Sequence, residues 1–203
     1  MDERPPFNPL DKANLGRAIV EALLSSQAKG LNDIPDFLGA GIYAIYYRGP
    51  FEAYGPLSAR NRKEFSWPIY VGKAIPKGGR KGGEVDASLE SNALSERLRK
   101  HQASIQLAPS LAIQDFAYRS LVVDDVWISL GETLVIQRFQ PLWNHVVEGF
   151  GNNDPGSKRY EGKRPLWDEL HPGRPWARRC KPPKHDRQQI LAMVSNYMQQ
   201  VLR

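Results

Sequence analysis

Two short apolar segments constrain this chain more than anything else in it: "GIYAIYY" (41–47) and "PIYVGKA" (68–74), each placing a tyrosine near a glycine. Both are rich in β-branched and aromatic residues and bounded by Gly or Pro, which reads as two strands. Residues 48–66 are too many for a tight hairpin, so the strands pair around an insertion. "DKANLGRAIVEALLSSQAKG" carries apolar residues at helical spacing and predicts a helix capped by Asp11 and ended by Gly30. A second helix is expected over 91–106, with Leu94, Leu98 and Ile105 on one side. The stretch 112–123 reads as a strand. Asp124 or Asp125 then caps a helix through "VWISLGETLVIQRF", which Pro141 stops. Residues 145–185 read as loop, and 186–202 as a last amphipathic helix. No internal repeat or linker interrupts the pattern, so the expectation is one α+β domain over 1–203.

Composition narrows the class of partner. The longest apolar runs are far too short to span a membrane, and "MDERPPFNPL" lacks the basic and apolar regions of a signal peptide, so the expected location is cytoplasmic. Cys180 is the single cysteine, which excludes an internal disulfide and a cysteine-rich zinc module; in "WARRCKPP" it reads as an incidental thiol. The net charge is +6 and the pI near 9.5. Residues 158–187 hold ten basic side chains against four acidic ones, and smaller basic groups lie at 59–63 and 77–83. Basic, non-periodic segments interspersed with Trp and Tyr suit a polyanion such as nucleic acid.

Further polar groups fall into line behind the tyrosines. "ERLRKH" spaces Arg97 and His101 four apart, on one helix face. "LGETLVI" sets Glu132 in a strongly apolar helical segment, where an unpaired carboxylate is expensive to bury. "PLWN" puts Asn144 just past the end of that helix. In this order (GIY strand, YVG strand, helix with arginine, strand, helix with glutamate, then P-x-x-N) the chain resembles the GIY-YIG nuclease superfamily over residues 40–144. The segments "YGPLSARNRKEFSWPIYVGKA", "QPLWNHVVEGFGNNDPG" and "WDELHPGRPWA" extend the resemblance, to roughly 38–180, towards the type II restriction endonucleases of this superfamily that cut the palindrome CCGCGG. Valine stands where the superfamily name has isoleucine, and it keeps a β-branched core residue.

The resemblance implies a GIY-YIG core over about 38–145: a small antiparallel sheet flanked by helices, with an N-terminal helix, long insertions and a C-terminal helix. It implies a catalytic set of Tyr43, Tyr70, Arg97, His101, Glu132 and Asn144. Glu132 would hold one Mg²⁺, for which Mn²⁺ could substitute, because a hard cation takes carboxylate oxygen and no second carboxylate matches a two-metal clamp. Arg97 offers a planar donor to the scissile phosphate. Tyr43 would be the general base; a phenol needs help in that role, and His101 either accepts its proton or holds its hydroxyl. Tyr70 would orient water or a phosphate oxygen, and Asn144 would fix one of these groups.

Base reading is expected from the insertions 48–66, 75–90 and 145–185, with Arg60, Arg62, Lys73, Arg80, Arg159 and Arg174 as candidate DNA contacts, to bases or to phosphates. The expected partners are double-stranded DNA, a second copy of the chain, since a palindrome needs two sites related by a two-fold axis, and a functional pairing with a DNA methyltransferase. A GIY-YIG repair or homing nuclease, and a catalytically silent DNA-binding protein on the same scaffold, are the alternative readings.

Overall fold

The structure is a computed structural model and describes residues 8, 11–76, 89–156 and 160–202. Most of the 75–90 insertion, with Arg80, lies outside the described residues, as does Arg159. Four strands, β1 (Lys29–Gly30), β2 (Gly41–Tyr47), β3 (Tyr70–Ala74) and β4 (Phe116–Val122), form one antiparallel sheet in the order β1-β4-β2-β3. The α+β expectation and the pairing of the two tyrosine strands therefore hold.

β2 is central, and all seven of its residues are buried. The pleat sends alternate side chains to opposite faces. Tyr43, Ile45 and Tyr47 enter a core shared with α3 (Ala93–Gln106) and α7 (Arg187–Val201), through Leu94, Leu98, Ile190 and Val194. Ile42, Ala44 and Tyr46 enter a second core with Leu23 of α1 (Lys12–Ser25) and Ile128, Val135 and Phe139 of α4 (Asp125–Phe139). Helices cover both faces, which is why the strand reads as an unbroken apolar run where a one-faced strand would alternate. Gly41 opens β2 at φ +154°, and a Cβ there would strike the Leu121 carbonyl of β4.

Local chemistry sets the helix boundaries. Asp11 caps α1 by accepting from the Ala13 N–H, and Asp124 caps α4 by accepting from that of Val126. The expected stop of α1 at Gly30 is too late. Ser26 ends it by bonding the Leu23 carbonyl through its backbone N–H and its hydroxyl, which frees Lys29–Gly30 to pair with Ala117 and Tyr118 as the edge strand β1. α4 ends at Gln140, in the left-handed region at φ 45°, immediately before Pro141. Asp186 and Gln189 form a capping box at the start of α7.

The insertions read as loops are in fact packed. In 48–66 a 3-10 turn (Glu52–Tyr54) leads into α2 (Gly55–Arg60), with Tyr54 and Leu57 buried. Residues 142–180 contain α5 (Leu142–His145), α6 (Leu166–Leu170) and a 3-10 helix (Pro175–Arg179) around buried Trp143 and Trp167. Among the described residues no helix is long and apolar enough to cross a membrane.

Asn61 stitches the first insertion to the sheet. Its amide donates to the Tyr47 and Trp67 carbonyls and accepts from the Ser66 and Trp67 N–H groups. An isosteric apolar residue would strand those groups away from water. Asn61→Leu is expected to lower stability by about 3 kcal/mol, read from the shift in urea midpoint at unchanged slope.

Candidate active site

β3 is the edge strand, so its alternate side chains reach both faces of the sheet at its free margin. The register pairs Tyr43 with Gly72, Ile45 with Tyr70, and Ile42 with Lys73. Tyr70 and Gly72 therefore share the face of Tyr43, while Lys73 turns to the face covered by α4. Gly72 has a steric reason to be glycine: a Cβ there would collide with the Tyr43 hydroxyl. The Tyr-x-Gly string is thus the cavity into which the first tyrosine fits.

On the first face, α3 brings Arg97 and His101 against the tyrosines. The Tyr43 hydroxyl lies 2.6 Å from His101 Nε2, and Arg97 Nε donates to the same hydroxyl at 3.4 Å. Arg97 Nη2 donates to the Gly151 carbonyl at 2.8 Å, and Nη1 lies near Asn153. The rings of Tyr70 and His101 stand 5.2 Å apart, and Phe150 stacks on His101 at 4.5 Å and 21°. On the other face, Lys73 Nζ makes a 2.7 Å ion pair with Glu132 and also reaches Ser129. The two halves meet in a cleft of about 870 Å³ lined by Tyr43, Tyr70, Lys73, Arg97 and Glu132, with Glu96 on its rim.

Burial tunes the titratable groups. It is the main reason the Tyr43 phenol is held well above its usual range, with Tyr70 adding to the effect and Arg97 opposing it. Burial likewise pushes the Tyr70 phenol up, against Arg97. His101 is driven well below the usual imidazole range, first by burial and then by the charges of Arg97, Arg174 and Lys100. Both causes favour the uncharged ring, and in the tautomer with its proton on Nδ1 the ring accepts from the Tyr43 hydroxyl at Nε2.

Five of the six expected catalytic residues come together, and Asn144 has a different place. Its amide accepts from the Val71 N–H and donates to the Val71 carbonyl, both at 2.9 Å, between Tyr70 and Gly72. It holds the β3 backbone, and touches no hydroxyl or guanidinium of the site. Among the DNA-contact candidates, Arg174 is corrected outright: it is 3% exposed and its guanidinium is spent inside the protein. Arg60 lies over the Trp67 ring and donates to the Leu202 carbonyl, and Lys73 is engaged by Glu132. Arg62 is exposed on the turn after α2 and is not among the residues that line the cleft. Phe150, Gly151 and Glu96 were not singled out from sequence, although the G-F-G string at 149–151 marks a place of close packing.

Among the described residues no three His, Cys, Asp or Glu side chains gather as a metal cage. Of the cleft's three described carboxylates, Glu90, Glu96 and Glu132, a single one beside the tyrosines suffices for a hard cation, which keeps several waters and takes a phosphate oxygen. Glu132 is that carboxylate, and the donor set fits such an ion.

A second buried imidazole, His171, is pushed down to about 3 by burial; it lies 2.6 Å from the Tyr54 hydroxyl and 2.9 Å from that of Ser110. Both histidines bind fewer protons folded than unfolded below pH 6.5, so stability falls as the pH drops. For His171 the expected loss is about 1.4 kcal/mol per pH unit from 6.5 down to its folded pKa, and His171→Gln should flatten the urea-derived stability profile by that slope.

A family model described as the Eco29kI GIY-YIG domain matches residues 35–198. No curated protein matches the chain.

Proposed function

Because the chain belongs to the Eco29kI GIY-YIG domain family and is thus a DNA nuclease of restriction type, we propose that it hydrolyses one phosphodiester of double-stranded DNA per cleft, using one Mg²⁺ held by Glu132. The observation that carries this reading is the meeting of Tyr43, Tyr70, Arg97, His101, Lys73 and Glu132 around one edge strand. When bound, the cation polarises the phosphate and offsets negative charge on the departing 3′ oxygen.

The protein's own groups divide the remaining work. Arg97 is anchored by Gly151 and Tyr43 on one side, so its guanidinium meets the phosphate already oriented. Burial disfavours the Tyr43 anion, and the route open to its proton is His101 Nε2 at 2.6 Å. His101 thereby lets the phenol oxygen take a proton from the attacking water as it gives up its own. Tyr70, beside both, orients that water or a phosphate oxygen. Lys73 neutralises Glu132 before the cation arrives.

The finer reading is a site made only of G·C pairs, CCGCGG, which rests on the similarity of the segments around 55–74, 140–156 and 167–177 to the enzymes that cut it. A palindrome presents the same phosphate on both strands, so cutting both calls for a homodimer. A methyltransferase acting on the same sequence would protect the host's DNA, without contact between the two proteins.

Digestion of a mixed-sequence plasmid with Mg²⁺ or EDTA, followed by sequencing of the ends, tests the assignment. Mg²⁺-dependent ends inside CCGCGG are expected; ends scattered over other sequences would remove the specificity and keep the chemistry. Glu132→Gln should retain DNA binding and lose at least about 1000-fold in cleavage rate. Tyr43→Phe should fold and cut slowly, and a normal rate in either variant would defeat the assignment.

A further inference from the structure

Arg174 is not among the residues that line the cleft, yet its guanidinium is fully committed. Nε and Nη2 grip the two oxygens of Asp168, Nη1 donates to the carbonyls of Phe150 and Asn152 at 3.0 Å each, and Nη2 also donates to that of Gly149 at 2.8 Å. All five guanidinium protons are thus used. The plane of the group is held between Trp167 and Trp176, each ring centre 4.7 Å from Cζ. Asp168 is itself only 2% exposed, so neither charge is left unpaired in the interior.

Three of the four carbonyls in the 149–152 run point to Arg174. The fourth, Gly151, accepts from Arg97. In the same turn Phe150 lays its ring flat on His101 and stands at 81° to the Tyr70 ring, 5.0 Å away. Two arginines therefore hold one turn, the buried one occupying three of its carbonyls and the one in the cleft the fourth.

We propose that Arg174 is a positioning residue of the active site: by taking the carbonyls of Gly149, Phe150 and Asn152 it turns the Gly151 carbonyl onto Arg97 and the Phe150 ring onto His101. The proposal rests on the reading of Arg97 and His101 as working groups of a nuclease. Lysine is the informative replacement. It keeps the positive charge beside Asp168 and near His101, but three protons on one nitrogen cannot serve a carboxylate and three carbonyls spread around a planar fork. The charge stays and the geometry goes.

The test is Arg174→Lys in the full chain, at a temperature well below its melting point. With a supercoiled plasmid and Mg²⁺ at saturation, the single-turnover rate is expected to fall roughly 100-fold, the size of effect a shift of about 1 Å at a reacting group produces. DNA affinity should stay within about threefold, since no group facing the duplex is removed. The His101 ring resonances, assigned by comparison with His101→Gln, should lose the shift that the stacked Phe150 imposes. A folded variant with the wild-type rate and unmoved His101 resonances overturns the proposal. If wild-type protein cuts nothing while the variant's His101 resonances move, the nuclease reading fails and the clamp stands. Should Arg174→Lys not fold, Phe150→Leu reads the same link, because it removes the flat ring and leaves every carbonyl contact of Arg174 in place; a wild-type rate there overturns the proposal as well.

Discussion

Everything in this protein is referred to β2, a strand buried on both faces. Six of its seven residues feed two separate cores, so neither layer of helices can shift without exposing apolar surface on one side of the sheet. Tyr43 sits at the third of the seven positions. Its phenol oxygen is fixed by a strand that cannot slip in register, since a slip of one residue would exchange the two cores' side chains. The edge strand β3 is then laid against it, with Gly72 cut to the shape of the tyrosine and Asn144 standing in for the strand that is missing on the outer side.

Several buried polar groups around that frame are partnered inside the protein, while the Tyr46 and Tyr118 hydroxyls and the Trp167 indole N–H make no hydrogen bond. Tyr43 meets His101, Tyr54 meets His171 and the Trp143 indole, and Arg119 donates to the Ser26 and Phe65 carbonyls. Networks of this kind cost stability if one member is lost and specify a single arrangement when complete. The aromatic rings continue the same path: His101 stacks on Phe150, which packs on Trp143 and Trp167, the latter flanking Arg174. The candidate site is consequently the exposed end of a rigid polar and aromatic interior, which is what a site working by orientation needs.

The basic insertions carry the main discrepancy between sequence and structure. Arginine is amphipathic: the same side chain can meet a phosphate in water or lie flat between indoles with its protons on carbonyls. In "GRPWARR" nothing local distinguishes the two. Arg174 goes inward because Trp167 and Trp176 flank it and Asp168 lies one helical stretch upstream in space; Arg60 covers Trp67 for a similar reason. The neighbouring tryptophans are visible in the sequence, but an indole beside basic residues suits a DNA groove and a buried cluster equally well. The insertions 48–66 and 145–185 contain packed helical turns for the same cause, since their apolar residues, Tyr54, Leu57 and Trp167 among them, found the core.

By itself the sequence determined the strands at 41–47 and 70–74, the helices from Ala93, Asp125 and Arg187, and the caps at Asp11 and Asp124. These are legible because period and capping are local properties; the set Tyr43, Tyr70, Arg97, His101 and Glu132 is implied by the order of the motifs and the family they resemble. Tertiary structure alone decided that the site wraps an edge strand, that Lys73 pairs with Glu132, that Asn144 bonds a backbone, and that Arg174 faces inward. Each of those depends on which residues meet in space: Asn144 and Val71 are 73 positions apart, and Arg174 reaches carbonyls up to 25 positions away. Chain order carries no direct record of such contacts; only the closing of the two cores around β2 brings them into being.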